Sequence, residues 1–114
     1  MAGLGPGHPR RPRGADMLGA YVYIMTNRPS GTLYTGVTND VVRRVWEHRE
    51  GIHEGFTKRY GLKRLVYYEE LASIVEAISR EKAMKHRPRA WKVRLILQTN
   101  PEWRDLWEDI GHAP

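Results

Sequence analysis

YVYIM (21–25) and TLYTGV (32–37) are the two runs whose reading decides the fold. Both are rich in β-branched and aromatic residues, which favour a pleated, half-buried surface. The first run places apolar side chains at consecutive positions, so both of its faces are apolar, as in a central strand. Asn27, Pro29, Ser30 and Gly31 lie between the runs and supply turn chemistry. So short a connection predicts an antiparallel hairpin. Pairing Thr26 with Gly31 across a four-residue loop would set Tyr23 opposite Tyr34. Cross-strand partners share a face, so the two phenols would then stand side by side. Gly36, two residues past Tyr34, leaves a bare patch on that face, and a strand glycine often marks the close approach of a backbone or a ligand. The plainer alternative for both tyrosines is a place in the core.

Working outward, Thr38, Asn39 or Asp40 can cap a helix that runs to about Glu50 and ends at Gly51. A loop containing His53, Gly55 and Gly61 leads to LVYYEE (65–70), a third strand. Ser73 followed by Glu76 is a capping-box match that starts a second helix. Pro88 breaks or restarts it, AWKVRLIL (90–97) continues as a helix, and Asn100-Pro101 stops it. EWRDLWEDI closes the pattern as a short amphipathic turn or helix. The expected class is α/β in the α+β sense: a small, three-stranded, mostly antiparallel sheet flanked by helices, over residues 17–110. Residues 1–16, MAGLGPGHPRRPRGAD, are Gly-, Pro- and Arg-rich and read as a disordered basic tail, with Met17 as an alternative start.

A chain of 114 residues fits one domain and needs no staples. The absence of cysteine excludes disulfides, thiolate metal sites and cysteine nucleophiles. Nineteen Lys and Arg against thirteen Asp and Glu leave a net charge of +6, which makes nucleic acid the leading partner class. No apolar run is long enough to span a membrane and no segment is ordered like a signal peptide, so the expected location is the cytoplasm.

Three groups of residues are unusual for a purely structural domain. On the second helix Ile74, Ala77, Ile78 and Met84 form an apolar stripe, with Glu81 projecting into its middle. A carboxylate there is costly unless paired or metal-bound. Arg80 or Lys85 would be the ion-pair partner, and a hard cation such as Mg²⁺ would be the functional one. On the first helix Arg44 and His48 lie one turn apart on the same side, where both could address one phosphate. Between 80 and 94 stand Arg80, Lys82, Lys85, Arg87, Arg89, Lys92 and Arg94, with Trp91 interleaved. Lys82, Lys85, Arg87, Arg89 and Lys92 are the candidate contacts to a phosphate backbone, with a solvated helix face as the alternative.

Together these residues resemble the GIY-YIG nuclease family, in particular its small bacterial members. Tyr21-Val22-Tyr23 stands for the first signature and Tyr34-Thr35-Gly36 for the second. VTNDVVRRVWEH (37–48), GFTKRYGLKRLVYYEEL (55–71) and AISREKAMK (77–85) follow in the family's order, and the likeness covers about residues 20–107. Tyr21 replaces the first glycine, Thr35 the middle isoleucine, and Val37 a lysine that some members carry. The resemblance implies a metal-dependent endonuclease that hydrolyses phosphodiesters, in DNA more than RNA. It assigns Tyr23, Tyr34, Arg44, His48 and Glu81 to catalysis, with Glu81 as the protein ligand to one Mg²⁺ or Mn²⁺ ion. A functional asparagine that some members carry has only Asn100 as its counterpart.

In that chemistry Tyr34 or His48 takes the proton of the attacking water, His48 because an imidazole titrates near neutrality. Tyr23 positions the water or the phosphate, and Arg44 offsets charge on the phosphate oxygens. The expected assembly is a monomer or weak oligomer, with a protein partner for targeting. The competing reading is a non-catalytic nucleic-acid-binding module of the same fold.

Overall fold

The computed structural model describes residues 19–110, so the expectation for residues 1–16 lies outside the described residues. Strand β1 is Ala20–Thr26, β2 is Leu33–Thr38 and β3 is Arg64–Leu71, in an antiparallel sheet of order β2-β1-β3. β1 is central, and every one of its residues is buried, as its two apolar faces require. Helix α1 is Val41–Glu50, α2 is Phe56–Arg59, α3 is Ile74–Lys85 and α4 is Arg89–Thr99, and a 3-10 turn covers Leu106–Ile110. The fold is therefore the α+β arrangement read from the sequence.

The helix ends follow local chemistry. Asp40 caps α1 by accepting a hydrogen bond from the Arg43 amide, and Gly51 ends it in the left-handed region at φ 66°. Ser73 accepts from the Glu76 amide at the start of α3. Pro88 restarts the chain as the cap of α4. The short α2 lies within what the sequence pattern left as a loop; it has no side-chain cap and no buried residue, so no apolar periodicity announced it.

The hairpin register differs from the expected one. Thr26 pairs with Leu33, so Tyr23 faces Gly36 and Tyr34 faces Met25. The Gly31 amide bonds the Arg28 carbonyl and the Thr32 amide bonds the Asn27 side chain, so the turn extends to Thr32 and the pairing moves by two residues. A shift of two keeps each side chain on its face. Tyr23 and Tyr34 consequently remain diagonal neighbours, with ring centroids 6.3 Å apart.

The sheet has two packed faces. Tyr21, Tyr23 and Met25 pack with Val41, Val42 and Val45 of α1 and with Leu62, Leu65 and Ile110. Ala20, Val22 and Ile24 pack with Ala77 and Met84 of α3, Ile96 of α4 and Trp103. The stripe on α3 is narrower than the sequence pattern implied: Ala77, Glu81 and Met84 are buried, whereas Ile74 and Ile78 lie on the exposed flank.

Between β1 and β3 the register slips at Ile24/Met25, leaving Val66 as an extra, unpaired residue. Asn100 is buried and its amide donates to the carbonyls of Val66 and Arg104, while its oxygen accepts from the Arg104 amide. It thus serves a bulge that would otherwise bury a bare carbonyl.

Candidate active site

The exposed end of the β1–α1 face carries the polar residues. Gly36 lies directly across from Tyr23, and a Cβ there would fall 2.4 Å from the Tyr23 hydroxyl. The bare patch on β2 is therefore filled by the Tyr23 ring. That ring has no exposed surface, and its hydroxyl shares a 2.9 Å hydrogen bond with His48 Nε2. His48 Nδ1 shares another, of 3.0 Å, with the Thr57 hydroxyl. Both ring nitrogens are engaged whichever of them carries the proton.

Burial governs the titration of this pair. It pushes the Tyr23 phenol well above the usual tyrosine range, the neighbouring Tyr34 adds to the effect, and Arg44 opposes it. It pushes His48 down to about 4, with the Arg44 guanidinium acting in the same direction. The expectation that His48 titrates near neutrality is corrected on this point: its ring is uncharged at pH 7.

Tyr34, Arg44 and His48 line a cleft of about 340 Å³ together with His53, Glu54 and Phe56. The Tyr34 ring meets His48 edge-on at 5.8 Å and Phe56 nearly parallel at 6.2 Å. Arg44 lies 3.2 Å from Glu47, which also holds Arg43 at 3.2 Å and His53 at 3.3 Å. Arg43 is the more exposed arginine, at 70 % against 40 % for Arg44.

Glu81 comes from the helix on the other face. Its side chain is 12 % exposed and is paired at 2.5 Å with Lys85, whose own side chain is 48 % exposed. The same ammonium stands 5.9 Å from the centre of the Tyr34 ring, so Lys85 joins the carboxylate to the tyrosine cluster. Glu47 and Glu81 are equally shielded, but two arginines and the His53 ring hold Glu47, whereas Glu81 pairs with one ammonium on a flexible stem. Arg80 does not pair with Glu81; it is bound to Glu69 at 2.7 Å.

The donor chemistry at Glu81 is that of a hard-cation ligand. Mg²⁺ characteristically binds through one or two carboxylates, keeps several waters and takes further oxygens from substrate phosphate. Among the described residues no group of three or more His, Cys, Asp or Glu side chains could hold a metal. Glu81, shielded and paired with the Lys85 ammonium, fits the single-carboxylate mode.

The basic segment divides by task. Arg89 donates to the carbonyls of Ser30 and Gly31 at 2.9 and 2.7 Å and so ties α4 to the β1–β2 turn, where Ser30 has φ 58°. Arg80 and Arg87 lie over the Trp91 ring at 5.7 and 5.3 Å. Lys82 is exposed and Lys92 half-buried. Thr57 and Glu47, which orient His48 and Arg44, carried no sequence signal as site residues, because each acts only through a contact that folding creates.

Residues 19–94 match the family profile of the GIY-YIG catalytic domain. The chain belongs to the GIY-YIG family. It is similar to the UPF0213 protein CPE1444 of Clostridium perfringens, 38 % identical over 76 residues, 67 % of this chain and 81 % of the relative. The UPF0213 protein NP_0776A of Natronomonas pharaonis is 40 % identical over 76 residues, 67 % of this chain and 88 % of that one. A solution NMR structure of the UPF0213 protein BH0048 from Bacillus halodurans is also similar, with a TM-score of 0.48, 34 % identity, and coverage of 75 % of this chain and 90 % of that one. No helix among the described residues is long and apolar enough to cross a membrane.

Proposed function

We propose that this GIY-YIG protein is a divalent-metal-dependent endonuclease that hydrolyses phosphodiester bonds in DNA. The observation that supports this most is the convergence of Tyr34, Arg44 and His48 on one cleft, with the shielded Glu81 carboxylate linked to it through Lys85. Aromatic packing alone does not call for a carboxylate there.

The residues divide the work as follows. Tyr34 lines the cleft and serves as the base that takes the proton of the attacking water. Arg44 and Lys85 border it with positive charge. Arg44 offsets the charge that grows on the phosphate oxygens in the transition state. His48 is a weak base with both nitrogens bonded, so it acts as a positioning residue and Tyr23 fixes it from behind. Glu81 would hold the metal, which when bound supplies Lewis-acid stabilisation of the leaving oxygen. Lys82, Lys85, Arg87 and Lys92 would contact the phosphate backbone and Arg89 would orient that surface, within a cytoplasmic protein.

The test is a panel of labelled DNA and RNA strands, duplexes and branched substrates, incubated with Mg²⁺, Mn²⁺ or EDTA. Cleavage of DNA that needs the metal and is lost in Glu81→Ala, with an unchanged melting temperature, is the expected result. Binding without cleavage under every condition would return the protein to the non-catalytic module.

A further inference from the structure

A row of aromatic rings leads out of the cleft. Tyr34 stacks on Phe56 at 6.2 Å with 27° between the ring planes, and Phe56 meets Tyr60 at 4.8 Å. Phe56 opens the short α2 helix and Tyr60 caps its end; they are 45 % and 49 % exposed, and the helix buries no residue. Core packing therefore does not account for their presence. The Arg59 guanidinium lies over the Tyr60 ring at 5.8 Å, and Lys58 is on the same turn, paired with Glu54. A cleft of about 610 Å³ is bounded by Phe56, Lys58, Arg59 and Tyr60, and it shares Glu54, Gly55 and Phe56 with the cleft at Tyr34.

Half-exposed rings flanked by cations match an occupant with flat faces and negative charge. Unpaired nucleotides have both, and stacking on aromatic side chains is how single strands are gripped without sequence preference. In a continuous duplex the neighbouring pairs cover each base face, so the same rings find nothing to stack on. Resting on the nuclease reading of the Tyr34 cleft, we propose that Phe56 and Tyr60 form a stacking platform for unpaired bases beside the scissile phosphate, so that the substrate class is DNA with a single-stranded segment rather than continuous duplex.

The test measures binding in EDTA, where no cleavage occurs. Fluorescence anisotropy would compare a labelled oligo-dT strand, a strand of the same length built from abasic sites, and a blunt duplex. The wild-type protein should bind oligo-dT more tightly than either of the others. Phe56→Ala and Tyr60→Ala should each weaken oligo-dT binding by roughly tenfold and leave the abasic strand unchanged. Phe56→Trp should keep the affinity and Phe56→Leu should not, which separates stacking from mere apolar bulk. Circular dichroism should show both alanine variants folded. Equal losses on oligo-dT and abasic strands, or no loss on either, would overturn the platform while leaving the nuclease reading standing. Failure of the wild-type protein to prefer oligo-dT over the other two would likewise overturn the platform, while the cleavage panel with metal decides the nuclease reading.

Discussion

Neighbouring residues of β1 point into opposite faces of the sheet and meet different environments. Ile24 enters a cluster of Ala77, Met84, Ile96 and Trp103. Tyr23 enters the α1 face, where its ring is equally buried but its hydroxyl ends on His48. Both faces exclude water. On the α3–α4 face that exclusion contributes stability, through burial of apolar surface. On the α1 face it also acts on titratable groups, holding Tyr23 protonated and His48 uncharged. The titratable residues of the proposed site are thus gathered where an apolar wall meets the cleft, and the α3–α4 face places Glu81 and Lys85 at its margin.

That division of labour can be broken from either side. Arg44→Ala should lower the single-turnover cleavage rate by about 10²–10³-fold, as loss of one group that stabilises developing charge does. Its melting temperature should barely move, since its pair with Glu47 is partly exposed and Glu47 keeps Arg43. Arg44→Lys should recover little, because an ammonium lacks the planar fork. Arg43→Ala, at the exposed neighbour, should leave the rate unchanged. Equal losses at the two arginines would show that the cleft-facing side of α1 has been misassigned.

Ile96→Ala should do the reverse. The residue is wholly buried in the α3–α4 face, so the variant should lose about 2–5 kcal/mol in denaturant unfolding. Below its melting transition the cleavage rate should stay near that of the wild type. A rate loss comparable with that of Arg44→Ala would show the two faces to be coupled.

Gly36→Ala tests the contact between the strands. A methyl group would meet the Tyr23 hydroxyl and ring at 2.4–2.9 Å, and that ring is enclosed. The cost should be about 1–3 kcal/mol, typical of overpacking, together with a displaced His48 and a lower rate. Unchanged unfolding would mean that β2 gives way at its edge.

A further effect concerns pH. His48 binds a proton at about 4 in the folded protein, against 6.5 for the ordinary imidazole. Between these values the unfolded chain holds the proton and the folded chain does not, so stability should rise with pH across the window. The contribution is complete above about 6.5 and is lost as pH falls through about 4. Urea midpoints between pH 4 and 7 should therefore slope more steeply for the wild type than for His48→Gln. An NMR titration of His48 with a midpoint near neutrality would contradict the burial argument directly.

Much of this was legible in local patterns. β-Branched and aromatic runs bounded by turn residues placed β1, β2 and β3. Ser73 and Gly51 marked helix ends and Asp40 was one of three candidate caps, because capping is a local hydrogen-bonding matter. Helical periodicity put Arg44 and His48 on one side and Glu81 among apolar neighbours, and the order of motifs pointed to the GIY-YIG family. What tertiary structure alone decided were contacts between segments with no periodic relation to one another. The two-residue shift in hairpin pairing was set by Asn27 bonding across the turn. The Lys85 ammonium was placed between Glu81 and Tyr34 by the packing of α3 on the sheet. The engagement of both His48 nitrogens needed Thr57 from α2 and Tyr23 from β1. The low proton affinity of His48 belongs to the same category, since desolvation depends on what surrounds a side chain in space. Residue order fixes which groups are available along the chain; only folding determines which of them are kept from water together.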